Sequence, residues 1–204
     1  METGYRKGRA YALSGLGQIA LAQGDLAQAR KAEQEALTIR TEMGDELNTA
    51  SSRLDLAMVS IEEGRAADAE ASLRQAVDVL RKTKSTAQEA SANAALARAL
   101  LAQAKPSEAA AALQRATALL TRSTAFPVRF DVALAGARVN PAGARQRLEA
   151  NLADAVKHGY VGYQFEIRLA LGQLEKNRAR LDALAHDASA TGFGLVARKA
   201  RGPL

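Results

Sequence analysis

The stretch from Leu16 to Ile39, LGQIALAQGDLAQARKAEQEALTI, sets its apolar residues at the spacing of two helices joined at Gly24-Asp25. Leu13, Leu16, Ala20 and Ala22 fall at helical spacing on a helix from about Arg6 to Gln23, and Ala29, Ala32, Ala36 and Ile39 mark the buried face of a second that runs to about Thr41. Asp25 is placed to cap that second helix by accepting a hydrogen bond from the free N–H groups of its first turn. The same unit is then copied. Adding 40 leads from Leu16 to Leu56 and Leu96, from Gly24 to Gly64 and Ala104, from Ala29 to Ala69 and Ala109, from Ala36 to Ala76 and Ala116, and from Ile39 to Val79 and Leu119. A single helical hairpin cannot bury its own apolar face, so a fixed period of this size predicts stacked hairpins. The recurring alanines mark crossings between helices, so Ala69 is expected to be close-packed while its neighbour Glu70 faces water.

Past Arg122 the register changes. Ser123 to Pro127 reads as a loop, and a spacing of 35 relates Phe130 to Phe165, Asp131 to Glu166, Val132 to Ile167, Leu134 to Leu169 and Ala135 to Ala170. Two more hairpins follow, with helices of about Pro127 to Arg138 and Pro141 to Lys157, then about Val161 to Glu175 and Asn177 to Ala190. A short helix from Phe193 to Arg201 is expected to cap the open end of the stack. The predicted fold is all-α: an α-solenoid of about five hairpins, one domain over residues 1–204, with repeats at 6–44, 45–84, 85–122, 126–158 and 160–191 and a cap at 193–201.

Composition narrows the chemistry. Hydrophobic residues make up 48% but aromatics only 4%, with no Trp, so the core is built of Ala and Leu, which suits helices at close distance. The absence of cysteine excludes disulfides, thiolate metal sites and a cysteine nucleophile. The net charge of +6 hides a polarity: residues 41–80 carry 9 acids and 3 bases, and the excess of base is strongest after Lys82. Such asymmetry along a rod can orient it against a partner or against another copy of itself. The first residues, METGYRKGRAYALSGLG, make a poor signal peptide because Ser and Gly break the apolar run. Ala94 to Ala104 is too short to span a bilayer and has Arg98 in its middle, so a cytoplasmic location is the default expectation.

Leu16-Gly17 with Ala29 and Ala36, Leu56-Ala57 with Ala69 and Ala76, and Leu96-Ala97 with Ala109 and Ala116 resemble the tetratricopeptide repeat, a helical hairpin of roughly 34 residues with an L-G pair and later small residues. The departures are that family's early Trp, here Leu13, Arg53 and Asn93, its Tyr, here Ala20, Ser60 and Leu100, and its later Phe, here Glu33, Leu73 and Leu113. The longer spacing is similar to that of the long-repeat variants that form tails on bacterial protein kinases and winged-helix regulators. The resemblance implies a right-handed superhelix whose concave face, lined by the first helix of each unit, binds peptides or partner proteins. Chaperone-binding members hold a terminal carboxylate with Lys and Asn; the matching Ser14, Gln18, Asp55, Ser91 and Ala95 supply no cation, which excludes that partner.

First-helix positions that recur without being needed for packing are the candidate partner-binding set: Tyr11, Ser51 and Ser91; Ser14, Leu54 and Ala94; Gln18, Met58 and Arg98. Met58 would give soft contact and Arg98 would read a carboxylate or a carbonyl. No catalytic or metal constellation is apparent. His158 and His186 lie near the ends of different second helices without metal-ligand spacing, Gly15-Leu16-Gly17 and Gly192-Phe193-Gly194 lack the rest of a phosphate loop, and Glu62-Glu63 reads as solvated charge beside a turn. Arg178, Arg180, Arg198, Lys199 and Arg201 form a basic end without aromatic interleaving, so nucleic acid is not an expected partner. The expected function is a non-enzymatic protein-interaction module without cofactor, part of a larger bacterial signalling protein because the chain enters a helix almost at once. The alternative is a self-assembling unit, in which the acidic second repeat meets the basic tail of another copy.

Overall fold

The structure, a computed structural model, describes residues 2–121 and 124–203. Arg122, the expected end of the third repeat, and Ser123, the expected start of the loop, lie outside the described residues, as do Met1 and Leu204. The chain forms α1 (Glu2–Gln23), α2 (Leu26–Glu42), α3 (Glu46–Glu62), α4 (Ala66–Lys82), α5 (Thr86–Ala102), α6 (Pro106–Ala118), α7 (Phe126–Val139), α8 (Ala144–Lys157), α9 (Val161–Leu174), α10 (Arg178–Ala190) and α11 (Gly194–Arg201). Among the described residues there is no strand, and no helix is long and apolar enough to cross a membrane.

Each helix packs mainly on its chain neighbours, and α5 also packs on α7, so the hairpins stack into an α-solenoid. The turns share one device. Asp25 and Asp45 accept hydrogen bonds from the backbone of Gln28 (3.0 Å) and Asn48 (3.2 Å), each after a left-handed glycine, Gly24 or Gly44. Lys84 and Ala104 hold the equivalent left-handed position without glycine, at φ 55° and 57°. Each of those two costs roughly 1–2 kcal/mol, which the packed helices on either side must offset. Pro106 opens α6, where its missing N–H is no loss, whereas Pro141 falls in the turn before α8 and that helix starts only at Ala144.

The alanine crossings are tight. Ala29, Ala69, Ala109, Ala36, Ala76 and Ala116 are all 0% exposed. Leu16 departs from its repeat mates: Leu56 and Leu96 are buried, but Leu16 is 53% exposed. α1 turns Ala10, Ser14, Gly17 and Ala20 inward, mainly onto α2, and Leu16 lies off that face. Glu70 also departs from expectation. Its carboxylate accepts from Lys105 (2.8 Å), Arg74 (2.8 Å) and Gln103 (2.9 Å), and the bonds from Lys105 and then Arg74 hold its pKa down at about 2. It ties α4 to α5 and to the turn before α6 rather than facing open water.

Ala69→Leu is expected to destabilise the protein by about 1–3 kcal/mol, because added methylenes force two backbones apart at a filled crossing. The exposed neighbour variant Gln75→Leu should stay within about 0.5 kcal/mol of wild type. Urea denaturation of both variants checks this, and coincident midpoints would overturn the packing argument.

Candidate functional site

Two adjoining cavities of about 390 and 280 Å³ lie inside the solenoid. Their walls come only from α1, α3, α5, α7, α9 and α11 with the turn before it. They share Gln18, Met58, Arg98, Asp131, Leu134 and Tyr163, and so form one continuous inner surface. Helical periodicity puts Asp131, Leu134 and Arg138 on one face of α7, and the equivalent faces of α3 and α5 carry Met58 with Glu62, and Ser91 with Arg98.

Six of the nine candidate binding residues meet here: Gln18, Leu54, Met58, Ser91, Ala94 and Arg98. Three do not. Tyr11 lies under the Arg40 guanidinium, 5.3 Å from ring centre, with Asn48 within 3.4 Å of its hydroxyl. Ser14 is buried and donates to Glu33 at 3.1 Å, and the Ser51 hydroxyl turns back to the Leu47 carbonyl at 3.3 Å. Those side chains serve the first two hairpins.

The electrostatics of the inner surface are uneven. Asp131 accepts from Ser91 (2.9 Å) and Tyr163 (2.9 Å), yet burial raises its pKa above the usual carboxylate range. Burial likewise pushes Asp55 up to about 6, with Asp131 adding to it, while Arg40 and a hydrogen bond with Gln18 oppose. Glu62 goes the other way. Burial alone would raise it, but Lys199, Arg98 and Arg138 hold it below its ordinary value. Lys199 sits 2.6 Å and Arg98 3.2 Å from one oxygen of Glu62, whose side chain is 10% exposed, so this carboxylate is not the solvated charge expected beside a turn. Glu63 is engaged too, by Arg30 at 2.6 Å and Arg65 at 2.7 Å. Arg138 is pushed down to about 10, first by burial and then by Arg98, and its Nη1 has no hydrogen-bond partner.

Asp55, Glu62, Asp131, Arg138, Tyr163 and Lys199 were not among the candidate residues. Asp131 and Arg138 follow Ser91 and Arg98 at the same interval that separates Ser51 from Ser91, a signal masked by the competing spacing between α7 and α9. Nothing local marks Lys199, which reaches the site from the far end of the chain. The rest of the basic end is likewise engaged within the chain. Arg178 donates to the carbonyls of Ala200 (3.0 Å) and Gly202 (2.8 Å), Arg180 to Glu175 (2.5 Å), and Arg201 to Ser189 (2.8 Å). His158 and His186 are exposed, as expected, and His158 stacks on Phe126 at 4.3 Å. Among the described residues no group of three or more acids and histidines is placed to hold a metal ion. The arrangement offers hydrogen-bond acceptors, one shared cation pair and apolar walls, a chemistry of contact.

Comparison with known proteins agrees with this architecture. Residues 9–43 and 49–83 match the family model of the tetratricopeptide repeat. The chain is similar in fold to a crystal structure of the nearly identical TPR-like repeats of a putative kinesin light chain of Podosopora anserina, at 19% identity and a TM-score of 0.55, covering 96% of this chain and 99% of that one. A point variant of those repeats is similar at 17% identity, with the same TM-score of 0.55 and 96% and 98% coverage. No curated protein matches the chain in sequence. The fold is a tetratricopeptide-like α-solenoid.

Proposed function

We propose that the chain is a protein-interaction module that holds a peptide or a partner domain on its inner face, without catalysis and without a cofactor. The observation that supports this most is the placing of Gln18, Met58 and Arg98 at one level of three successive inner helices, all facing the same two cavities. Met58 also packs on the core and Arg98 pairs with Glu62, so the chain holds both in place at the cavity wall. Met58, Leu134 and Phe193 supply adaptable apolar contact, while Asp55, Asp131 and Glu166 can accept from backbone N–H groups or basic side chains of an extended segment. The long-repeat resemblance supports a place in a bacterial signalling or regulatory protein of the cytoplasm.

The second reading is self-assembly. It needs the acidic second repeat to pair with the tail of another copy, and the pairing of Lys199 with Glu62 inside one chain takes up part of that charge. Light scattering at two salt concentrations separates the readings, because a particle that is monomeric at low salt excludes assembly.

Capture from a lysate of the source cell tests the inner face. Met58→Glu is expected to lower recovery of the bound protein at least tenfold, while Arg115→Glu on the exposed side of α6 leaves it unchanged. Full retention by Met58→Glu, with helical circular dichroism intact, overturns the proposal.

A further inference from the structure

The last helix spans the opening of the solenoid and touches the first hairpin. A Cβ on Gly194 would lie 2.3 Å from the Gln23 carbonyl oxygen, and one on Gly24 would lie 3.2 Å from the Leu195 nitrogen. Two glycines therefore let backbone meet backbone between the ends of the chain. Arg198 reaches the Gly24 carbonyl at 3.4 Å, beside the negative end of α1, and Lys199 closes on Glu62 at 2.6 Å. Phe193, Leu195 and Val196 line the larger cavity opposite Leu21 and Ala22 of α1, so this contact is also a wall of the inner surface.

The two sides of α11 are held unequally. Toward its own hairpin, Val196, Ala197 and Ala200 are buried with Phe165, Leu169, Leu184 and Ala188. Arg178 and Arg201 fasten the same side with three more hydrogen bonds. Across the opening the hold consists of the buried Leu195 beside α1, a glycine contact, one long hydrogen bond and the Lys199–Glu62 pair. Apolar burial of the first kind takes in a whole helix face, whereas the largely buried Lys199–Glu62 pair sets its attraction against the cost of desolvating both charges. The α1 side is therefore the weaker of the two, and α11 belongs structurally to α10.

We propose that these contacts form a clasp that joins the two ends of the solenoid and narrows its inner surface, and that opening the clasp gives a partner full access to Met58 and Arg98, which are half-buried while it is shut. The second half rests on the binding reading given above; the clasp itself does not. Since the chain has no cysteine, Met58→Cys gives a single thiol inside the cavity. Its rate of reaction with a maleimide is measured alone, with Gly194→Val and with Lys199→Met. Gly194→Val drives side-chain atoms into the Gln23 carbonyl, and is expected to raise the rate at least tenfold with helical circular dichroism unchanged. Lys199→Met, which keeps the length of the side chain and removes its charge, should raise it several-fold and decides the matter should Gly194→Val fail to fold. Equal rates in the parent and in every folded variant overturn the clasp. Labelling needs no partner, so that result leaves the binding reading standing, just as retained capture by Met58→Glu would leave the clasp standing.

Discussion

Phe130→Ala is expected to lower stability by about 3–5 kcal/mol, the usual cost of emptying a large aromatic site in a packed interior. Phe130 is 0% exposed and meets Tyr163 at 5.1 Å, Tyr160 edge-on at 5.7 Å and Phe126 at 5.9 Å between ring centres. The chain has four Phe, four Tyr and no Trp, so this cluster gathers half of its aromatic rings at one junction, where α7 meets α8 and α9. Elsewhere the crossings are made by alanine with buried Leu73, Leu80 and Leu100 between them, smaller side chains than a ring. Here, between the fourth hairpin and the start of the fifth, rings fill the space. Losing the ring removes buried area and its aromatic pairs, each worth about 0.5–1.5 kcal/mol beyond area. Denaturation in urea measures the effect. A loss under about 1.5 kcal/mol would mean that the junction can collapse onto the hole.

The second large effect is pH dependence carried by Glu33. This carboxyl is 1% exposed between α1 and α2, in the space left by Gly17, where a Cβ would lie 2.6 Å from its Oε1. Burial first, and then Asp55, raises its pKa to about 8 against the hydrogen bond from Ser14 and the charge of Arg40. One of its oxygens has no partner at all. An acid whose pKa is raised on folding keeps its proton in the folded chain after the unfolded chain has lost it. The associated stability is therefore complete below the ordinary value of 4.5 and falls as pH rises toward 8. At about 1.4 kcal/mol per unit, the loss reaches about 4 kcal/mol by the top of that window. Asp55 acts with the same sign but only up to about 6, and the buried Asp131, also raised, adds to the same trend. Glu33→Gln should flatten the curve and be more stable than wild type at about pH 8.5. Wild-type stability that stays constant within about 1 kcal/mol from about pH 6 to about pH 9 would contradict this.

Much of the fold was legible in the chain because helix faces, caps and crossings are local. Asp25, Asp45, Pro106 and the recurring alanines each act within a turn or two of their own position, and a repeated pattern forces a stacked arrangement whatever its partner surfaces are. The inner surface was legible in part for the same reason: equivalent positions such as Gln18, Met58 and Arg98 must share a face when units stack. What no single unit contains is the curvature that accumulates over five of them. Packing within and between neighbouring hairpins decided that Leu16 is exposed while Leu56 and Leu96 are buried, that Glu70 is ion-paired and not solvated, and that Ser14 and Ser51 turn away from the cavities, and curvature acts beyond them. Curvature brought Gly194 and Lys199 against Gln23 and Glu62, a meeting of chain ends that depends on small rotations summed along the solenoid. Local spacing specifies each rotation too loosely for that sum to be read from residues alone, so only the tertiary structure could place Lys199 against Glu62.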